Sequence, residues 1–249
     1  MAPNTTIEGF IKRFSRKSHF SKNDLLAYYM KSEPDLKDGT LRRRIALLKK
    51  RGVIHEVSRG IYSLQNKPQW IPSVENSVKS IYSKIAKHYI DINCCVWSTA
   101  CLNEFTNLQA FRHIIVIEAE KDVTQSVYEY LTDTGLKNLY YKPDRKEATY
   151  YLSNASQTHV VESLFSKSPL QLVKNTRVPK LEKILVDIFC DKDLFLAYQG
   201  SEMENIFRNA FNAYAVNNSI LLNYSRRRGR EKELTDYIRN KIDIKLPVA

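Results

Sequence analysis

The segment from Thr40 to Arg51 concentrates side chains that can bind a polyanion. It reads Thr-Leu-Arg-Arg-Arg-Ile-Ala-Leu-Leu-Lys-Lys-Arg and is followed by Gly52. Arginine can donate paired hydrogen bonds to guanine edges, and both arginine and lysine bind phosphate oxygens. A further arginine, Arg59, follows within a predicted turn. These residue types predict contact with a nucleic acid.

At helical spacing, this segment divides into an apolar face and a basic face. Leu41, Ile45 and Leu48 form one stripe, which predicts a core-facing side, and Arg43 and Lys50 lie opposite it. The predicted groove-facing residues are Arg42, Arg43, Ala46, Lys49 and Lys50, where the small Ala46 permits close approach. The predicted phosphate contacts are Lys22, Arg44 and Arg51, with Thr40 at the helix start and Arg59 acting from the turn. The alternative is that these charges form a solvated helix face.

The neighbouring residues predict the elements that would position this basic helix. A first helix begins near Thr6, and a second begins at Ser21 as N-cap and ends before Pro34. Asp38 or Thr40 is expected to cap the third helix, and Gly52 to end it. After Gly52 the apolar period changes to two, which predicts a hairpin over residues 53–64 with its turn at 58–60. Three helices followed by a hairpin predict a winged helix-turn-helix domain over residues 1–67.

The charge distribution favours the same interpretation. The chain has 249 residues and a formal net charge of +12. Residues 1–70 carry 15 basic and 6 acidic side chains, whereas residues 71–170 carry 10 and 11. A compact basic module beside a near-neutral body is typical of a domain that binds polyanions.

Residues 65–72 contain two prolines and no periodic pattern, and we interpret them as an interdomain linker. The body over 73–249 is predicted to be an α/β domain that ends in helices, so the fold class is mixed α/β. Strands are expected at 92–97, 113–118, 138–141, 148–152 and 170–174. Helices are expected at 73–88, 98–105, after an Asp122 cap, near 159–165, and at 180–190, 202–216, 218–223 and 230–242.

The body offers little catalytic chemistry. Glu118-Ala119-Glu120-Lys121 follows the clearest strand, but the spacing of its acids and lysine departs from that of two-metal nucleases, so strand-end solvation is the favoured interpretation. Nucleotide-cradling glycine loops are absent, and the scattered His and Cys residues predict neither a metal site nor a cofactor. The four cysteines are expected to be reduced, buried thiols. We therefore expect no catalytic residues.

A second basic cluster consists of Arg226, Arg227, Arg228 and Arg230. It is interpreted either as an exposed loop before the last helix or as a second contact with nucleic acid or an acidic partner. The chain lacks an apolar run long enough to span a membrane and lacks a signal-peptide pattern at residues 1–6, so a cytoplasmic protein is expected.

Four stretches resemble AbiEi-type antitoxins, the transcriptional regulators of type IV toxin–antitoxin systems. Residues 39–52 followed by 58–64 resemble their N-terminal winged helix, and residues 178–188 and 221–227 resemble two of their helices. Lys183 and Ile184 stand where that family has Arg-Thr. The resemblance implies a repressor that binds inverted repeats upstream of its own operon. It also implies that the C-terminal domain counters a nucleotidyltransferase-like toxin.

The sequence thus predicts a non-enzymatic, sequence-specific repressor and antitoxin whose partners are double-stranded operator DNA and, functionally, that toxin. Two alternatives stay open. One is a winged helix that contacts protein or RNA without operator binding, and the other is a nuclease targeted by a winged helix.

Overall fold

The computed structural model describes residues 7–15, 17, 19–64, 67–107, 113–144, 146–147 and 157–244. Its first part contains short helices and a small sheet. In chain order the elements are α1 (Ile7–Phe14), β1 (Phe20–Ser21), α2 (Lys22–Met30), α3 (Asp38–Lys50), β2 (His55–Ser58) and β3 (Ile61–Ser63). The strands form an antiparallel sheet in the order β1-β3-β2.

The N-terminal core confirms the predicted apolar stripes. Leu41, Ile45 and Leu48 of α3 are buried, and Phe10 and Phe14 of α1 are buried against them in one cluster. Large aromatic side chains supply much of the apolar area, which lets a module of this size bury a core.

One predicted helix cap is confirmed and another is wrong. The Ser21 hydroxyl oxygen accepts from the Asp24 amide at 3.1 Å, and the Asp24 carboxylate accepts from the Ser21 amide, so α2 begins with a capping box. Helix α3 begins at Asp38 after Lys37, without a side-chain cap. Asp38 does not cap α3 because its carboxylate binds two cationic side chains instead.

The body is mixed α/β, as predicted. Its strands are β4 (Cys94–Ser98), β5 (His113–Ala119), β6 (Leu139–Tyr141), β7 (Gln157–Ser163), β8 (Leu170–Val173) and β9 (Thr176–Pro179). Its α-helices are α4 (Asn76–His88), α5 (Thr124–Asp133), α6 (Leu181–Cys190), α7 (Ser201–Ala213), α8 (Asn218–Arg227) and α9 (Glu231–Tyr237). Short 3₁₀ turns cover Thr99–Glu104 and Leu196–Tyr198, and a π-helical turn, Ile238–Ile242, continues α9.

The main sheet has the order β4-β5-β7-β6, with β4 antiparallel to β5 and the other pairs parallel. Both of its faces are covered. Alternate residues of β5 point in opposite directions: Ile115 and Ile117 pack in the cluster formed with α4 and α5, and Ile114 and Val116 in the cluster formed with helices α6–α9. Glu118 follows the same alternation as Val116 and therefore points toward the helical layer.

Several sequence predictions for the body are wrong. Residues 157–163 form strand β7, not a helix near 159–165, because Val160 and Val161 are buried on opposite sides of a parallel sheet. Asp122 does not cap α5, which begins at Thr124 after Val123 without a side-chain cap. The helix expected at 218–223 extends to Arg227. The strand expected at 148–152 lies outside the described residues.

The predicted linker is packed against the body. Trp70 is buried beside Phe105, with ring centroids 6.1 Å apart, and its indole N–H donates to the Glu104 carboxylate. The Lys67 ammonium donates to the Phe211 carbonyl at 2.5 Å. Residues 67–72 thus lack helix and strand but are part of the folded structure. Among the described helices, none combines the length and apolar character needed to cross a bilayer.

Candidate nucleic-acid interface and a buried charge cluster

The outward face of α3 is basic and only partly neutralised. Arg43, Ala46, Leu47 and Lys50 are exposed on the side opposite the core stripe. Within the part of the chain that the structure describes, Arg43 and Lys50 form no ion pair. Leu47 is 47% exposed. This face combines two available cations with a small and an apolar side chain.

The cations on one flank of this face form ion pairs with carboxylates. Asp38 binds both Lys22 and Arg42, with 2.7 Å from Arg42 Nε to Asp38 Oδ2. The hydrogen bond from Lys22, together with the charges of Arg42 and Lys22, lowers the pKa of Asp38 below its usual value. Lys49 binds Glu56 of β2, which links α3 to the hairpin.

The opposite flank holds Arg44 in a different environment. Its Nη2 donates to both Glu33 oxygens, at 2.7 and 2.8 Å, and its guanidinium lies 4.8 Å from the centre of the Tyr29 ring. Its side chain is less exposed than that of Arg42. The predicted phosphate contact Arg44 therefore also joins α3 to the end of α2, whereas Thr40 and Arg51 are exposed.

Arg59 lies in the turn of the hairpin and is exposed. The turn needs Gly60, whose φ of 75° lies in the left-handed region. Glu56 also accepts from the Gly60 amide at 3.3 Å. The same carboxylate therefore fixes the hairpin turn and orients the hairpin on α3.

The four arginines of the second basic cluster lie in different environments in the structure. Arg226 and Arg227 end α8, where Arg226 forms two 2.6 Å contacts with Glu231 and Arg227 donates to the Ser166 hydroxyl. Arg230 binds Glu233. Arg228 points inward, with only 7% of its side chain exposed. The cluster is therefore not a continuous exposed loop.

Arg228 belongs to a buried charge cluster centred on Lys183. The Lys183 ammonium is fully buried and contacts Glu118 at 2.6 and 2.8 Å and Asp187 at 2.5 Å. Asp187 also accepts from Tyr224 at 2.9 Å and from Arg228 at 2.6 Å. Burial alone would lower the pKa of Lys183, but the Asp187 and Glu118 carboxylates raise it well above its usual value.

The cluster forms one wall of a cavity of about 530 Å³, to which Trp97, Phe165 and Phe195 contribute aromatic surface. Glu162 of β7 also lines the cavity, beside Glu118 in the register of the neighbouring strand. Burial, followed by the charges of Asp191 and Glu118, raises the pKa of Glu162 from 4.5 to about 7.

The acids considered for a nuclease are not brought together. Glu118 is buried and bound to Lys183 and Trp97, so the expected strand-end solvation is wrong for this residue. Glu120 is exposed and accepts from the Asn93 side-chain amide, and Lys121 is exposed. Within the described ranges, no group of three or more His, Cys, Asp or Glu side chains could hold a metal ion. Of the cysteines, Cys94 and Cys95 are buried as expected, whereas Cys101 and Cys190 are half-buried; all four are free thiols.

The buried cluster was not anticipated from the sequence, although α6 carries a signal for it. All residues from Leu181 to Ile188 are buried, and the helix is apolar on every side except at Glu182, Lys183 and Asp187. Charges on a helix that is hydrophobic all round must be paired inside the protein. Lys183 and Asp187 pair with each other along the helix, and their further partners, Glu118 and Arg228, come from distant elements.

Comparison with known proteins gives a family for most of the chain. No curated protein matches it. Residues 40–244 match a family of unknown function, DUF6577, and this range includes α3 from Thr40 onward, the hairpin and the whole buried charge cluster. The chain belongs to the DUF6577 family.

Proposed function

We propose that the protein binds double-stranded DNA sequence-specifically through its N-terminal module, which folds as a winged helix. The observation that carries the proposal is the exposed face of α3, where Arg43 and Lys50 are free of ion pairs among the described residues. The element order α1-β1-α2-α3-β2-β3 and the sheet order β1-β3-β2 support a winged helix.

The side chains of α3 suit the major groove of B-DNA. Ala46 leaves room for the helix backbone to approach base edges, and exposed Leu47 can pack on a thymine methyl group. Arg43 and Lys50 can donate to base edges, while Arg51 reaches phosphates. Arg59 projects from the hairpin and contacts the minor groove or the DNA backbone in this proposal.

The contacts within the module support a division of roles among the predicted residues. Arg43 and Lys50 are available to DNA without breaking an ion pair. Lys22, Lys49 and Arg44 already bind Asp38, Glu56 and Glu33. The pair formed by Lys49 is exposed and worth little, so Lys49 can exchange its carboxylate for a DNA contact at small cost, whereas Arg44 is partly buried and mainly joins α3 to α2.

The resemblance to AbiEi-type antitoxins extends the proposal to a biological role. In that role the protein represses its own operon at inverted repeats and counters a nucleotidyltransferase-like toxin encoded beside it. Co-expression with the neighbouring gene tests this part: rescue of growth supports it, and unrelieved toxicity contradicts it.

Fluorescence anisotropy with the intact chain tests DNA binding directly. The probes are the duplex from upstream of the protein's own gene and a scrambled duplex of equal length, titrated across a salt series. We expect a preference of roughly 10³ or more for the upstream duplex and an affinity that falls steeply with salt. Equal, weak binding to both duplexes would overturn sequence-specific recognition.

A further inference from the structure

Asp38 holds two of the predicted DNA-binding cations at once. It lies in the first turn of α3, where its Oδ1 accepts from the Lys22 ammonium and its Oδ2 forms an ion pair with Arg42, 2.7 Å from Nε. Both carboxylate oxygens are therefore occupied. The charge of Asp38 is thus neutralised by cations from two helices.

The contact with Asp38 fixes which edge of Arg42 can meet a ligand. A guanidinium has five N–H donors, and an ion pair on the Nε side leaves the outer edge formed by Nη1 and Nη2. Arg42 is 73% exposed, and in the described residues its outer edge has no other partner. That edge matches O6 and N7 of guanine, which accept two parallel hydrogen bonds in the major groove.

The other ion pairs of α3 do not offer this geometry. Lys49, bound to Glu56, is a point charge without a forked edge. Arg44 Nη2 already donates to both Glu33 oxygens, and its guanidinium lies over the Tyr29 ring. Among the paired cations of α3, Arg42 alone combines high exposure with a free forked edge.

We propose that Arg42 reads one guanine in each half-site end-on, through Nη1 and Nη2, and that Asp38 is the positioning residue that holds it for this contact. The inference rests on the proposed DNA binding and adds to it a base and a reading geometry. Lys22 completes the arrangement, because its ammonium shields the Asp38 carboxylate from the neighbouring phosphates. Discrimination between bases and general affinity for DNA are thus assigned to different side chains.

The test uses the intact chain and four variants. Duplexes selected from a random pool by the wild-type protein identify the preferred site, and anisotropy then measures affinity for that site, for versions with each guanine replaced, and for scrambled DNA. The variants are Asp38→Ala, Asp38→Asn, Arg42→Lys and the control Asp35→Ala. Asp35 is an exposed acid just before α3 that forms no ion pair among the described residues, so its removal changes net charge without releasing Arg42.

We expect Asp38→Ala and Asp38→Asn to lose roughly tenfold discrimination at one guanine per half-site. Their binding to scrambled DNA should stay equal or tighten, because a negative charge is removed and Lys22 is released. Arg42→Lys should lose the same discrimination without a change in the salt slope, and this variant does not depend on how Asp38 supports α3. Asp35→Ala should discriminate like the wild type.

Unchanged guanine discrimination in the Asp38 variants or in Arg42→Lys would overturn the inference while leaving DNA binding in place. A parallel loss of specific and scrambled binding in the Asp38 variants would also overturn it, because that pattern indicates damage to α3. A wild-type protein that selects no preferred duplex would instead overturn the proposed function.

Discussion

The charged side chains of α3 and those around α6 have opposite environments. On α3 they are exposed, and their carboxylate partners are exposed as well, as with Arg42 and Asp38. Around α6 the corresponding charges are buried: Lys183 is fully inaccessible and Arg228 nearly so. Exposed pairs contribute little to stability and can be exchanged, whereas buried pairs cannot lose one member without leaving a charge in the interior. The first region is therefore suited to binding, and the second to holding the sheet and helices together.

The largest expected effect is a loss of stability when the buried charge cluster is disrupted. Lys183→Met leaves Glu118 and Asp187 buried without their shared cation, which should lower the free energy of unfolding by roughly 3–5 kcal/mol. Urea unfolding measures the change, with Lys79→Met on the exposed surface of α4 as a matched control. A loss in Lys183→Met no larger than in the control would show that the cluster is not structural.

An intermediate effect is expected on DNA binding when an exposed arginine of α3 is removed. Arg43→Ala should cost about 1–3 kcal/mol in binding to the preferred duplex and relax the preference at one base position, because Arg43 lies at the centre of the outward face of α3. Its thermal stability should match the wild type, since its side chain forms no ion pair in the described structure. Unchanged affinity and unchanged preference would remove Arg43 from the interface.

The smallest effect concerns Glu162 and pH. The pKa of Glu162 is raised to about 7 in the folded protein, so its carboxyl keeps a proton that the unfolded chain releases near pH 4.5. Stability should therefore fall as pH rises from about 4.5 to 7 and then level off. Each pKa unit is worth about 1.4 kcal/mol, and partial exposure reduces the total to on the order of 1–2 kcal/mol.

Glu162→Gln cannot titrate, so its stability relative to the wild type should increase across this pH range and stay constant above it. Unfolding curves of both proteins at a series of pH values measure the difference. A difference that does not vary with pH would mean that Glu162 ionises normally in the folded chain.

The N-terminal elements could be predicted because their signals are local. The stripe of Leu41, Ile45 and Leu48, the Ser21 cap and the alternation after Gly52 all lie within a few residues of the structure that they specify. Strand β1 was missed because its two residues carry no period and pair with β3, about forty positions away. The pairing of Arg42 with Asp38 follows the i,i+4 spacing of a helix, but the addition of Lys22 to the same carboxylate depends on how α2 packs on α3.

The body was harder to predict because its determinants are distant along the chain. The β-branched run in β7 is compatible with a helix or a strand until its parallel partner β5 is known. Lys183 and Glu118 are 65 residues apart, and their contact requires the sheet and α6 to be in place. The Arg226–Arg230 cluster was read as one patch because its residues are adjacent in sequence, whereas helix geometry turns Arg228 inward.

The most direct test of the central claim compares the two arginine-rich regions as DNA-binding surfaces. Anisotropy titrations with the preferred duplex across a salt series are made for the wild type, for Arg43→Ala/Lys50→Ala on α3, and for Arg226→Ala/Arg227→Ala on α8. We expect the α3 double variant to lose most of the affinity and to have a shallower salt slope, and the α8 double variant to bind like the wild type. Loss of binding in the α8 variant with full binding in the α3 variant would contradict the assignment of DNA binding to the N-terminal module.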